Sequence, residues 1–259
     1  MNLINIKRKP HSIKKIIKKS FLFFINDQWT SFFYYLITEL LNNSSKFRIF
    51  NLLSIKICPI CKHSSNSFHH LSNHRSISWN SACPNCDSRS RHRGLFFLYR
   101  KYILNKPHKK VLHFAPEIIL SSLFTKTKKY YFTTDLFMKN VNYPKEDIQN
   151  LSFKNATFDM ILCNHVFEHV KSDTKAFLEI SRILKKKGIA IITVPGNWRN
   201  KKTISQNPIY HNGHYRHYGH DVENLLKKKF KKVKKINMYK YNGKLYAIKK
   251  LEFAYICEK

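Results

Sequence analysis

The chain has 259 residues and a formal net charge of +33, with 48 Lys and Arg against 15 Asp and Glu. That length holds one sizeable core plus a small appendage and excludes a string of large domains. The charge points to an anionic partner such as RNA, a membrane surface or a phosphorylated substrate, yet Lys outnumbers Arg 38 to 10, and Arg is the better fork for phosphate, so most of the charge reads as background composition.

The first twenty residues set Ile13, Ile16 and Ile17 among lysines. This amphipathic basic pattern suits either docking on an anionic membrane or nucleic acid, or a solvated helix laid on the domain. No small-residue cleavage site follows, so the expectation is a cytoplasmic protein, peripheral at a membrane at most. Residues 21–42 are rich in aromatics and read as a helix broken by Asn42, Asn43, Ser44 and Ser45. Asp27 and Glu39 make this run a poor membrane span. Its expected use is packing on the main domain or on a partner, and no obligate protein partner is evident.

Six cysteines do not imply a disulfide scaffold here, because four of them fall as two CxxC pairs, Cys58 with Cys61 and Cys83 with Cys86, separated by 21 residues. Such knuckles present four thiolates tetrahedrally, which is what a structural Zn2+ needs, and a closed four-thiolate site leaves no catalytic position open. His63, His69, His70 and His74 lie between the pairs, and a site of four thiolates needs none of them. Arg89, Arg91 and Arg93 follow, and either grip a phosphate or link the knuckles to the helix around residues 94–99.

Val111, Leu112, His113 and Phe114 read as a strand, and Ala115, Pro116 and Glu117 as the turn into a helix at 118–124. A second strand, 130–134, ends at Asp135. Asp147 follows, next to Glu146. Residues 159–163 form an apolar run of the length expected for a strand buried on both faces, opening into polar Asn164 and His165. Asp173 is the expected cap of a helix with Ala176, Phe177, Ile180, Ile183 and Leu184 on one face, ended by Lys185, Lys186, Lys187 and a left-handed Gly188. The next strand, 189–194, stops at Pro195. A strand, a covering helix and a second buried strand make a βαβ unit, hence an α/β fold with a parallel sheet. Residues 196–212 are a polar loop placed to cover a site, and 211–221 pack four His, two Tyr and one Arg together. Asp221 is the expected cap of a helix at 222–229, and 230–239 and 245–257 supply the last strands.

The segment FDMILCNHVFEHV followed by LEISRILKKKGIAIITVP resembles the fourth strand, following helix and fifth strand of class I S-adenosylmethionine-dependent methyltransferases of the type 11 kind. VLHFAPE at 111–117 and the paired CPxC knuckles resemble a subgroup in which a zinc-ribbon-like segment precedes that domain. The resemblance implies a Rossmann-like seven-stranded sheet with helices on both faces, preceded by a small zinc-ribbon-like segment and an N-terminal helical extension, divided as 1–50, 51–100 and 101–259. It implies S-adenosylmethionine and structural Zn2+ as cofactors. His113, Ala115, Pro116 and Glu117 would line the first turn, with Pro116 and Glu117 beside the methionyl part. Asp135 would accept the ribose hydroxyls and Asp147 the adenine amino group, while Asn164 and His165 touch the cofactor. His165, His169 and His214 are the candidate catalytic bases, with His217 a further titratable neighbour. Glu168, Arg216 and Tyr218 are the candidate acceptor-binding residues. The implied activity is methyl transfer to a small-molecule, saccharide or lipid-linked acceptor. Two alternatives stand beside it: an RNA methyltransferase that uses the ribbon and basic surface, and a non-catalytic binding module, motivated by a first turn that lacks the glycines usual in the superfamily.

Overall fold

A computed structural model describes residues 18–19, 29–43, 55–72, 76–104 and 109–259. The chain divides into two compact units, Met1–Phe97 with Tyr239–Glu252, and Leu98–Met238 with Phe253–Lys259. The basic isoleucine pattern, at 13–17, lies outside the described residues.

The first unit contains helix α1 (Trp29–Asn43), short strands β1 (Lys56–Ile57), β2 (Ser64–Ser65), β3 (His69–Ser72) and β4 (Ile77–Ala82), and the start of helix α2 (Ser90–Tyr99). The aromatic helix packs within its own unit: Tyr35, Thr38 and Glu39 are buried, and the Asn42 amide bonds both backbone groups of His70 in β3, donating to its carbonyl at 3.1 Å and accepting from its N–H at 2.8 Å. No helix among the described residues is long and apolar enough to cross a membrane.

The second unit is built on seven strands: β5 (Val111–Phe114), β6 (Tyr131–Asp135), β7 (Tyr143–Pro144), β8 (Phe158–Asn164), β9 (Leu184–Thr193), and, after the short hairpin of β10 (Ile204–Ser205) and β11 (Arg216–His217), β12 (Lys232–Asn237) and β13 (Phe253–Glu258). Their order in the sheet is β12-β13-β9-β8-β5-β6-β7. All neighbours are parallel except that β13 runs antiparallel to both β9 and β12. It is the Rossmann-like seven-stranded sheet expected above. The helices of the unit are α3 (Ile118–Ser121), α4 (Asp173–Ile183) and α5 (Val222–Lys227). Every residue of β5 is buried, as are five consecutive residues at the end of β8, which is why these strands read as unbroken apolar runs. The apolar face of α4, Ala176, Phe177, Ile180 and Ile183, joins that core.

Four local expectations are corrected. The helix after the first turn ends at Ser121 and continues as a 3-10 stretch, Ser122–Tyr130. The cap of α4 is Ser172, whose hydroxyl accepts from the Lys175 N–H, and Asp173 turns its carboxylate to Tyr218 and Arg216 instead. The lysines do not extend α4. Its last carbonyls are met by other groups: Ala156 and Thr157 N–H bond to Arg182 and Ile183, and the Lys259 ammonium donates to the carbonyls of Arg182 and Leu184. Leu184 pairs with Phe158 and the ladder bulges before Met160, with Lys187, not Gly188, in the left-handed region (φ 61°). Gly188 is required by space, since a Cβ there would stand 2.7 Å from the Lys185 carbonyl and 3.2 Å from that of Asp159. At α5, Asp221 occupies the cap position, but its carboxylate accepts from the Thr203 hydroxyl and makes no capping bond.

Candidate active site

The sheet order reverses between β5 and β8, and ligands of open α/β sheets sit at the carboxyl ends of the strands flanking such a switch. A crevice of about 800 Å³ opens there, lined by Phe114, Ala115, Asp135 to Phe137, Glu146 to Gln149, His165, Val166, His169 to Lys171, Pro208, Gly213 and Tyr215. The residues that leave β5 and β8, Ala115 (φ 46°) and His165 (φ 53°), are both left-handed and non-glycine. Two strained turns side by side let both backbones bend away and leave the crevice open.

The sequence candidates separate into three groups. Ala115, Asp135, Asp147, His165 and His169 line the crevice together. Asp135 Oδ1 accepts from the N–H groups of Phe137 and Met138 at 2.7 and 2.8 Å, which fixes the carboxylate at the end of β6. Asp147 is fixed likewise by the Gln149 N–H at 2.8 Å. Pro116 and Glu117 follow in the turn without lining the crevice, and Glu117 occupies the cap position of α3.

His113 and Asn164, expected at the cofactor, lie in the core beneath it. Asn164 is 3% exposed and its amide donates to the Tyr99 hydroxyl at 2.7 Å while its oxygen accepts from the Thr193 hydroxyl at 3.2 Å. His113 is fully buried, with Nδ1 2.7 Å from the Tyr131 hydroxyl, and burial pushes its pKa down to about 4. It is a neutral packing residue at ordinary pH. Arg216 and Tyr218, expected to hold an acceptor, are also buried. Arg216 donates to the carbonyls of Phe167 and Lys171, which flank the turn carrying Glu168 and His169, and lies 3.5 Å from the Asp173 carboxylate, which also accepts from the Tyr218 hydroxyl. These two residues position the turn.

That turn brings Glu168, His169 and His214 together. Tyr215 N–H donates to the Glu168 carbonyl at 2.7 Å, stitching the 211–217 segment to the turn. His169 and His214 meet edge to face with centroids 4.6 Å apart. Burial lowers the His214 pKa, as it does that of His217. Phe137, Gln149, Lys171 and Tyr215 line the crevice without having been singled out by sequence. Tyr215 and His217 share the less buried side of 215–218 and Arg216 and Tyr218 the buried side, an alternation that the residue types Tyr, Arg, His and Tyr do not announce.

In the first unit, Cys58, Cys61, Cys83 and Cys86 are buried and free, and their sulfurs lie within 4.8 Å of one another. Two of the pairs, Cys58 with Cys86 and Cys61 with Cys83, stand 3.6 Å apart. Sulfurs on one tetrahedral zinc are about 3.8 Å apart for bonds of about 2.3 Å, so the four fit that ion. The knuckles share one geometry: the N–H of the fourth residue after the first cysteine returns to its carbonyl at 2.9 Å, and that residue, Lys62 or Asp87, is left-handed. Arg93, fully buried, donates to the carbonyls of Asn80, Ser81, Ser88, Tyr246 and Ala247. It ties the 239–252 segment to the second knuckle and is not placed to grip a phosphate. Arg89 pairs with Asp87 at 3.1 Å.

Residues 120–192 match a family model described as a methyltransferase domain, less than half of the chain. An uncharacterized protein of Methanocaldococcus jannaschii is 44% identical over 64 residues, 25% of this chain and 26% of that protein, so the match spans about a quarter of that relative. Among solved structures, a S-adenosylmethionine-dependent methyltransferase from Archaeoglobus fulgidus aligns at 14% identity over 65% of this chain and 94% of its own, with a TM-score of 0.47. The 1,6-didemethyltoxoflavin-N1-methyltransferase of Burkholderia thailandensis, solved with bound 1,6-didemethyltoxoflavin and S-adenosylhomocysteine, aligns at 14% identity over 66% and 78%, also with a TM-score of 0.47. The family match lies in the centre of the second unit, whose sheet order is the one expected of a class I methyltransferase domain.

Proposed function

We propose that the protein transfers a methyl group from S-adenosylmethionine to a small-molecule, saccharide or lipid-linked acceptor bound in the switch-point crevice. The observation that carries this reading is Asp135, held at the carboxyl end of β6 with one oxygen engaged by two backbone N–H groups and its side chain on the crevice wall. A carboxylate so placed is suited to accepting the ribose hydroxyls of a nucleoside cofactor. Ala115 does with a strained left-handed turn what glycine does elsewhere in the superfamily, letting the backbone come close to the ligand. When bound, the cofactor supplies a methyl group already activated by a sulfonium. The chain's own tasks are then to orient donor and acceptor, to exclude water, and to take up the acceptor's proton, for which His165 and His169 stand at the crevice wall.

The four cysteines are read as holding one structural Zn2+, with the buried Arg93 guanidinium offsetting the negative charge of four thiolates. Burial of Arg93 takes away one of the three arginines on which RNA binding would have rested. Thermal melting tests the donor-binding reading: S-adenosylhomocysteine should raise the melting temperature in proportion to the logarithm of its concentration. A folded protein whose melting ignores it would be a binding module without a working donor site.

A further inference from the structure

Glu168 is 1% exposed, yet its Oε2 has no hydrogen-bond partner among the described residues. Its Oε1 lies 3.4 Å from His165 Nδ1 and 3.9 Å from His169 Nε2. A carboxylate withdrawn from water with one oxygen unmet calls for a cation or a donor. Arg216, the buried guanidinium nearby, is already committed to Asp173 and to the carbonyls of Phe167 and Lys171. What faces Glu168 instead is imidazole: one ligand atom each from Glu168, His169 and His214 lie within 4.8 Å of one another.

We propose that Glu168, His169 and His214 bind a divalent first-row transition cation beside the crevice wall to which His169 belongs, leaving coordination positions open for an oxygen of the acceptor. Two imidazoles and a carboxylate are a donor set that leaves such positions free, and the mixture of nitrogen and oxygen suits Zn2+, Mn2+ or Fe2+ better than Mg2+ or Ca2+. Donor atoms on one ion stand about 3–3.5 Å apart for bonds near 2.1 Å, so closure takes a shift of roughly an ångström. His169 has room for it, since its side chain is 45% exposed. The surroundings are built for the approach. Tyr215 N–H is bonded to the Glu168 carbonyl, and Gly213, at φ +79°, brings the loop so close that a Cβ there would be 3.4 Å from His169 Nδ1. His165, beside Glu168 Oε1, is then left to orient the carboxylate or to accept a proton. The acceptor's class follows, resting on the methyl-transfer reading: it presents an oxygen, a hydroxyl or a phenol, beside the ion.

The test uses the full chain with its cysteine site loaded with Zn2+. Mn2+, which competes poorly for thiolates, is titrated in and followed by loss of the free-ion electron paramagnetic resonance signal. The expected result is one Mn2+ per chain, weakened at least about tenfold in His169→Ala and in His214→Ala and unchanged in His211→Ala, with the melting of each variant recorded to show that it folds. Failure of the wild-type protein to bind either Mn2+ or a further equivalent of Zn2+, or binding by both ligand variants as tight as the wild type's, overturns the site. A parallel titration with S-adenosylmethionine keeps the two ideas apart. Donor binding without metal binding removes the metal site alone, whereas metal binding without donor binding removes the methyl-transfer reading and with it the oxygen acceptor, but leaves the metal site standing.

Discussion

Ala115 and His165 hold left-handed backbones at the mouth of the crevice, where an L residue costs roughly 1–2 kcal/mol relative to the ordinary regions. Ala115→Gly should therefore raise the unfolding free energy by about 1 kcal/mol in urea, offset in part by the freedom glycine gives the unfolded chain. An unchanged or lower stability would mean that the turn is not strained as drawn. His113 makes a second prediction at this scale. Its folded pKa, near 4, lies below the ordinary 6.5 because burial disfavours the charged ring. The stabilisation is complete above the unfolded value and is lost as pH falls from about 6.5 towards 4. At about pH 5 the loss should be on the order of 2 kcal/mol. Denaturation curves at about pH 8 and pH 5 should show that loss in the wild type and most of it gone in His113→Gln. The resemblance of 111–117 placed His113 at the cofactor; the structure gives its nitrogens to Tyr131 and Asn164. Nothing in the sequence marks which of its neighbours, eighteen and fifty-one residues on, would claim the ring.

At the scale of the element, Arg216 shows how a residue type can be read correctly and its direction missed. The density of His, Tyr and Arg over 211–221 does mark the wall of the crevice, but Arg216 and Tyr218, two of the three residues chosen as acceptor ligands, face inward because 215–218 alternates. Arg216→Ala should cost about 3 kcal/mol, since it strands the Asp173 carboxylate and the carbonyls of Phe167 and Lys171. His217→Ala, on the other side of the strand, should cost less than about 1 kcal/mol. Equal costs would refute the alternation. Helix α4 offers the complementary lesson. Its apolar face was legible from period alone, whereas its end was not, because the groups that satisfy its last carbonyls come from Ala156, Thr157 and Lys259, far apart in the chain.

Across the whole molecule, what was legible is what repeats locally: buried strand runs, one amphipathic helix and two matching knuckles. Which strands neighbour one another, and so where the order reverses, came from the resemblance of 158–195 and 111–117 to a known family rather than from those local patterns. The knuckles belong to a unit completed by residues 239–252, clasped by Arg93 through the carbonyls of Tyr246 and Ala247. That clasp was invisible in a basic cluster read as linker or phosphate grip. Cys83→Ser should remove metal from this unit and lower its melting temperature, since binding energy of a structural zinc is folding energy. Metal content and melting both equal to the wild type would refute the cysteine site. The central claim is that the crevice binds S-adenosylmethionine through Asp135, and calorimetric titration of the wild type and Asp135→Ala measures it most directly. The account predicts one site per chain that is lost or weakened by roughly a hundredfold in the variant, the worth of two hydrogen bonds to a charged group. Equal affinity in both proteins, or no heat from a folded wild type, would contradict it.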